Sequence, residues 1–250
     1  MGTSLPQPAR IVERVDESVK VRTFTLDLHW NAEPGQFAMV WLPGVDEKPF
    51  SLVRADPVTL TIARVGPFTE SLFDLGASDR LWLRGPLGRP FTLPVGTGSP
   101  RPGAGRAPIL LVAGGYGVAP LHYLARRARA ASWEVSTVIG ARTADDVVFA
   151  DRFSALGSQV FVTTDDGSLG EKGLATDAAN RLLSQTDYEA IYACGPEPML
   201  EAVARLAQRH RIPAQLSYER YMRCSFGVCG SCAREGWLVC RDGPVKYLSV

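Results

Sequence analysis

Three things are scarce in this chain, and each scarcity excludes something. The first is surplus charge, since 27 Lys and Arg stand against 26 Asp and Glu, a net of +1 over 250 residues. No strong field exists to gather nucleic acid or an anionic membrane, so a small-molecule or protein partner is expected. The second is a long apolar run. No stretch of about 18 apolar residues occurs, and the N-terminus, MGTSLPQPARIVERVDESVK, lacks the apolar core and small-residue cleavage site of a secretory signal. The chain reads as soluble and cytoplasmic. The third is histidine. His29, His122 and His210 are far apart and lack H-E-x-x-H spacing, and each reads as a surface or packing residue. No G-x-x-x-x-G-K-[ST] loop, Ser-His-Asp set or carboxylate pair is visible either, which removes the common hydrolytic and phosphate-loop chemistries.

Cysteine is scarce as well, but unevenly placed. Four of the five cysteines lie in CSFGVCGSCAREGWLVC, from Cys224 to Cys240. An odd number of thiols without a secretory signal argues against a disulfide framework and for metal binding. The spacing is Cys224-x4-Cys229-x2-Cys232-x7-Cys240, and its first three members reproduce the C-x4-C-x2-C run of plant-type [2Fe–2S] proteins. Gly227, Gly230 and Ser231 suit a tight loop whose backbone N–H groups face anionic sulfurs. Zinc stays open as the alternative, with Cys229 and Cys232 as one knuckle, although Cys224 and Cys240 do not form a second.

The length allows two domains of roughly 100 to 150 residues. From Ile11 to about Leu93 come short β-like runs, VRTFTLDL, GQFAMVWL, FSLVRA, VTLTIARV and RLWLRG, punctuated by Pro and Gly. In VTLTI the apolar Val58, Leu60 and Ile62 alternate with threonines, the period of a strand with one buried face. This predicts an antiparallel β barrel over residues 1–98, with a short helix near TESLFDL. Residues 97–107, TGSPRPGAGRA, read as a linker or exposed loop. Over 108–217 apolar runs such as PILLVAGG and WEVSTVIGAR alternate with amphipathic segments such as ATDAANRLLSQ and PEPMLEAVARLAQRHR, which predicts an α/β domain on a doubly wound parallel sheet. Residues 218–250 form the cysteine-rich tail.

In VAGGYGVAP an apolar strand runs into Gly114, Gly115 and Gly117 before a helix, the arrangement that lets a pyrophosphate approach backbone N–H groups. A tight strand–helix turn needs glycine in any case, and Pro120 occupies the last position of the dinucleotide fingerprint. Three predicted strand ends carry small or polar residues, around Arg142, around Thr163 to Ser168, and at Cys194-Gly195-Pro196, and could line one crevice. In the barrel, Lys48, Pro49, Phe50 and Ser51 join a cation, a fixed turn, an aromatic ring and a hydroxyl. An ordinary edge turn has the same composition, so this motif takes its weight from its company.

In this order, KPFS, GGYGVAP, CGPEPM and the tail ERYMRCSFGVCGSC with VCRDGPV resemble the ferredoxin-reductase superfamily, and within it the electron transfer subunits of NAD-dependent dihydroorotate dehydrogenases. The resemblance runs from Pro34 to Val245. It implies FAD in the barrel, held at Lys48, Pro49, Phe50 and Ser51 and further at Ile62, Ala63, Arg64, Phe68 and Thr69. It implies NAD at Gly114, Gly115 and Gly117, with Cys194, Gly195 and Pro196 flanking the nicotinamide and with Ser51 and Cys194 orienting the reacting rings. The cluster ligands would be Cys224, Cys229, Cys232 and Cys240. The implied partner is an FMN-containing dihydroorotate dehydrogenase catalytic subunit, in a heterotetramer serving pyrimidine biosynthesis. Lys48 stands where the family usually has arginine, GPFTES lacks the family's second glycine, and Ser225 replaces a frequent glycine. Two other readings remain: a flavin and iron–sulfur subunit serving ferredoxin, hydrogenase or another complex, and a zinc-holding interaction module. Arg142 leaves NAD against NADP open, and Glu219 is a further candidate near the reacting rings.

Overall fold

The structure, a computed structural model, describes residues 5–94 and 106–250, so the expected linker lies outside the described residues up to residue 105. It divides the chain into two compact units, Met1–Pro90 with Glu219–Val245, and Phe91–Tyr218 with Lys246–Val250.

The first unit is a closed six-stranded antiparallel barrel. Its strands are β1 (Gln7–Ser18), β2 (Val21–Leu26), β3 (Phe37–Leu42), β4 (Asp46–Ala55), β5 (Val58–Ala63) and β6 (Arg80–Leu87), in the order β1-β2-β5-β4-β3-β6 with β6 returning to β1. The alternation read in VTLTI is what closes the core, for Val58, Leu60 and Ile62 are fully buried beside Phe24, Leu52 and Leu83. One strand was not legible beforehand. β1 buries only Ala9 and Ile11 in its first half and is charged along the rest, so it forms because both neighbours supply ladder partners. Between β5 and β6 the expected helix appears as α1 (Pro67–Phe73), opened by Pro67 in the first turn. The Thr69 hydroxyl accepts the N–H groups of Val65 and Gly66 and thereby fixes the turn into α1.

The tail does not stand apart. Its short hairpin of β13 (Ala233–Arg234) and β14 (Trp237–Leu238) and the turn α6 (Val239–Asp242) pack onto the barrel. Met222, Cys232, Val239 and Cys240 share one apolar cluster with Phe37 and Met39 of β3. At about 1.5–3 kcal/mol for each large apolar side chain covered, this anchors the segment instead of leaving it as a flap. The backbone adds to it: Arg89 N donates to Gly243 O at 2.5 Å, and Gly88, at φ +78°, leaves room for Pro244, whose Cδ would lie 2.6 Å from a Cβ there. The expected three-part division, 1–98, 108–217 and 218–250, therefore differs from the compact units, because burial joins residues 219–245 to the barrel and 246–250 to the second unit.

The second unit carries a seven-stranded sheet whose first six strands in chain order run parallel. Its strands are β7 (Ile109–Gly114), β8 (Val135–Ala141), β9 (Gln159–Thr164), β10 (Glu171–Lys172), β11 (Ala190–Cys194), β12 (Ala214–Ser217) and β15 (Val245–Leu248), in the order β10-β9-β8-β7-β11-β12-β15. The helices are α2 (Val118–Ala130), α3 (Ala150–Ala155), α4 (Ala175–Gln185) and α5 (Glu197–His210). The chain moves outward from β7 through β8 to β9 and then jumps back across β7 to β11. Right-handed crossovers in opposite directions put their helices on opposite faces, which agrees with α2 packing on α3 and α4 on α5. The order reverses between β7 and β11, where ligands of such sheets bind. No helix among the described residues is long and apolar enough to cross a membrane.

Candidate functional site

The four tail cysteines are free thiols arranged in two pairs. Cys224 Sγ accepts the N–H groups of Val228 at 3.4 Å and Cys229 at 3.5 Å, and Cys232 Sγ accepts the N–H of Cys240 at 3.4 Å. Left-handed turns at Ser225, Gly227 and Gly230 aim these donors inward. Burial raises the Cys224 pKa, but the N–H groups of Cys229, Phe226 and Val228 outweigh it and hold the thiol below its usual value. The Cys229 thiol, bonded to Ser231, is lowered to about 6. Cys240 is pushed up to about 12, by burial first and then by Cys232 beside it, with Cys224 adding repulsion. The two pairs are thus electrostatic neighbours with backbone donors already turned toward their sulfurs. Among the described residues no group of three or more His, Cys, Asp and Glu is gathered closely enough to hold a metal ion. Two sulfur pairs suit a cluster of two irons, each taking two thiolates, better than one tetrahedral ion gripped by four.

The barrel motif lies one strand away from these cysteines. In the β3–β4 register Phe37 faces Ser51 and Met39 faces Pro49, and the same Phe37 and Met39 pack against the tail cysteines. Phe50 stacks on Phe68 with ring centroids 6.2 Å apart and planes 23° apart. Lys48 is paired with Asp46 at 2.5 Å and sits 4.9 Å from the centre of the Tyr221 ring. The Ser51 hydroxyl is half-buried and makes no hydrogen bond to another described residue. Other expected positions are less available. Ile62 is fully buried in the barrel core, and the Thr69 hydroxyl is committed to the turn before α1; at these two positions the backbone is what remains to offer. Ala63 is half-buried and Arg64 exposed. Glu219 keeps an exposed edge while its carboxyl is crowded, and that desolvation raises its pKa.

In the second unit the turns after β7 and β11 meet. A Cβ on Gly117 would lie 2.0 Å from the Cys194 carbonyl oxygen, and one on Gly114 2.7 Å from Pro196 Cδ. These two glycines therefore serve the fit of one turn against the other. Gly115 differs, being left-handed at φ +52° with nothing within 4 Å of a Cβ, so it faces open space. No side chain caps the start of α2, and the N–H of Val118, its first residue, turns back to the Tyr116 carbonyl of the preceding glycine turn. Cys194 is buried at the end of β11, and Gly195 and Pro196 follow it at the surface. Arg142 is exposed and pairs with Asp146 at 3.4 Å.

Comparison with known proteins bears on the same segments. Residues 111–205 match the oxidoreductase NAD-binding domain, and residues 219–247 match the iron-sulfur cluster binding domain of dihydroorotate dehydrogenase B. The chain is 41% identical over 244 residues to the probable dihydroorotate dehydrogenase B (NAD(+)), electron transfer subunit, of Methanocaldococcus jannaschii, covering 97% of this chain and 90% of that one. The like-named protein of Methanothermobacter thermautotrophicus is 45% identical, covering 95% and 86%. The chain belongs to the dihydroorotate dehydrogenase B electron transfer subunit family. Among solved structures, the NADH-dependent reduced ferredoxin-NADP oxidoreductase studied for flavin-based electron bifurcation superposes with a TM-score of 0.82 at 28% identity, covering 98% of this chain and 89% of that one. The cytochrome P450 reductase GcoB of Amycolatopsis gives 0.68 at 30% identity, covering 83% and 67%.

For this member of the dihydroorotate dehydrogenase B electron transfer subunit family, sequence reading missed the residues that seat the cysteine loop. Met222 anchors it from within the tail, and Arg84 of β6 donates to the Cys224 carbonyl at 3.3 Å. Met222 lies inside ERYMRC and was in view, but nothing local marks Arg84, which is 140 residues from its acceptor.

Proposed function

We propose that this chain is the electron transfer subunit of a NAD-dependent dihydroorotate dehydrogenase, carrying electrons from an FMN-containing catalytic subunit to NAD⁺ in the cytoplasm, in a heterotetramer. The observation that carries the reading is β3, whose Phe37 and Met39 pack against Cys232 and Cys240 while facing Ser51 and Pro49 across one ladder. A cysteine quartet and a flavin-type strip so joined are what a relay between one-electron and two-electron carriers requires.

Residues 1–98 would hold FAD, residues 108–217 NAD, and residues 218–250 the [2Fe–2S] cluster. When bound, the cluster exchanges single electrons, the flavin converts between single electrons and pairs, and nicotinamide takes a hydride. The chain's own residues bind and orient. Lys48 supplies positive charge on the strip, and Phe50 and Phe68 offer stacked aromatic surface. Ser51 holds a free hydroxyl for a hydrogen bond to a ring nitrogen. Ile62, Ala63, Arg64 and Thr69 extend the flavin contacts, the first and last through backbone. Gly115 and the start of α2 receive the dinucleotide phosphates, with Gly114 and Gly117 keeping the neighbouring turn in place. Cys194, Gly195 and Pro196 border the nicotinamide. Cys224 with Cys229, and Cys232 with Cys240, supply two thiolates to each iron.

The test is an anaerobic visible and EPR titration of the purified protein with NADH, followed by assay of the complex for dihydroorotate-dependent NAD⁺ reduction. Flavin bleaching with a reduced [2Fe–2S] signal, and coupling to a co-purified FMN enzyme, are expected. A zinc-containing protein without acid-labile sulfide would overturn the electron-transfer reading. Electron transfer without that coupling would move the partner to ferredoxin or another complex.

A further inference from the structure

Arg84 is the one cationic group whose hydrogen bond reaches the cysteine loop from the barrel wall among the described side-chain contacts. It is gripped by Glu47 of β4 through two parallel hydrogen bonds, Nε to Oε1 at 2.8 Å and Nη2 to Oε2 at 2.7 Å, which leaves Nη1 for the Cys224 carbonyl at 3.3 Å. Both side chains are largely covered, at 16% and 23% exposure. A pair so placed is screened far less than one in open water. The pair is neutral overall but oriented, with the guanidinium toward Cys224. On its outer side it borders an open cavity of about 510 Å³ lined also by Trp41, Val45 and Asp46.

We infer that Arg84, held by Glu47, is a positioning residue that tunes the reduction potential of the [2Fe–2S] cluster at Cys224, Cys229, Cys232 and Cys240. The inference rests on the iron–sulfur reading above. Two physical effects act together. Reduction adds one negative charge to the cluster, so a cation nearby favours the reduced form and an uncompensated carboxylate disfavours it. The carbonyl of Cys224 also accepts the hydroxyl of Ser225 at 2.5 Å. Two donors thus hold this carbonyl in place, while the N–H groups of Val228 and Cys229 turn toward Cys224 Sγ. Hydrogen bonds to cluster sulfurs are a main determinant of potential.

The experiment is an equilibrium redox titration of the cluster-loaded protein, followed by EPR, for wild type, Arg84→Gln, Arg84→Lys and Glu47→Gln. Arg84→Gln leaves Glu47 uncompensated. At fixed ambient potential its ratio of reduced to oxidised cluster should fall about tenfold, a shift of about 59 mV downward for a one-electron couple. Glu47→Gln leaves the guanidinium uncompensated and should shift the potential upward by a similar amount. Arg84→Lys keeps the charge without the planar fork. It should restore most of the potential while changing the EPR line shape. A merely structural pair would lower cluster content in all three variants without opposite shifts. Shifts of the same sign, or no shift in either single-charge variant, overturn the inference. If Arg84→Gln fails to retain a cluster, Glu47→Gln decides alone, an upward shift supporting the inference and any other result refuting it. A wild-type protein without a [2Fe–2S] signal would instead bring down the iron–sulfur reading, and this inference with it.

Discussion

Replacing Gly117 by alanine isolates what the glycines after β7 are for. Gly117 has an ordinary right-handed backbone at φ −60°, so alanine brings no conformational penalty there. The obstacle is steric: its Cβ would stand 2.0 Å from the Cys194 carbonyl oxygen and 2.5 Å from the carbonyl carbon, where ordinary contact begins at 3.4 Å. Both atoms are backbone, so no rotamer change relieves the clash, and the turn carrying Cys194, Gly195 and Pro196 must move. Overpacking of this kind costs about 3 kcal/mol, the upper end of its usual range. For a unit of this size that lowers the unfolding midpoint by about 10 °C. If this turn borders the nicotinamide as proposed, a displacement of about 1 Å there should slow hydride transfer roughly a hundredfold. Thermal unfolding and stopped-flow bleaching of bound flavin by NADH read the two effects. Gly115→Ala is the stability comparison. Its φ of +52° costs about 1 kcal/mol with an alanine, but nothing stands within 4 Å of the new Cβ. If Gly117→Ala melts within about 2 °C of wild type, or Gly115→Ala is the more destabilising, the close-approach argument is wrong.

The other expectations follow from the same geometry. Gly88→Ala, at φ +78° with Pro244 Cδ and Gly243 O 2.6 and 2.8 Å from its Cβ, should loosen the tail from the barrel. Iron and sulfide per chain should fall, and full occupancy would refute the clamp. His122 lies between Phe149 and Phe153, and burial, with Arg152 and Arg126 nearby, lowers its pKa from 6.5 to about 4. The unfolded chain therefore binds more protons than the folded one in that window, so the stability it contributes is present above pH 6.5 and lost as pH falls toward 4. The loss is about 3 kcal/mol. Urea midpoints for His122→Leu should depend less on pH between those limits, and an unchanged slope would remove His122 as the cause. In iron-depleted protein Cys229 should alkylate half-maximally near pH 6 and Cys240 only in strong alkali, as peptide mass mapping would record. Equal labelling of the two at pH 7 would contradict the environments described.

Local patterning carried much of the architecture. ATDAANRLLSQ reads as a helix and is α4, Ala175–Gln185, because its apolar face recurs at helical spacing. VTLTI reads as a strand for the corresponding reason at period two. β1 escaped because a strand whose outer face is charged shows little alternation, and its stability comes from ladders to β2 and β6. The cysteine spacing was legible, since the ligands of a cluster loop are close in sequence.

What surrounds that loop was not legible. The amino-acid sequence by itself determined the strand and helix periods, the turn glycines and the four sulfurs within Cys224 to Cys240. Only the tertiary structure decided that Phe37 and Met39 cover two of those sulfurs and that Arg84 reaches the Cys224 carbonyl. It alone separated Gly114 and Gly117, which admit the neighbouring turn, from Gly115, which faces open space. The reason is range. Periodicity and turn chemistry act over a few residues, whereas these contacts depend on which distant surfaces barrel closure and sheet order bring together.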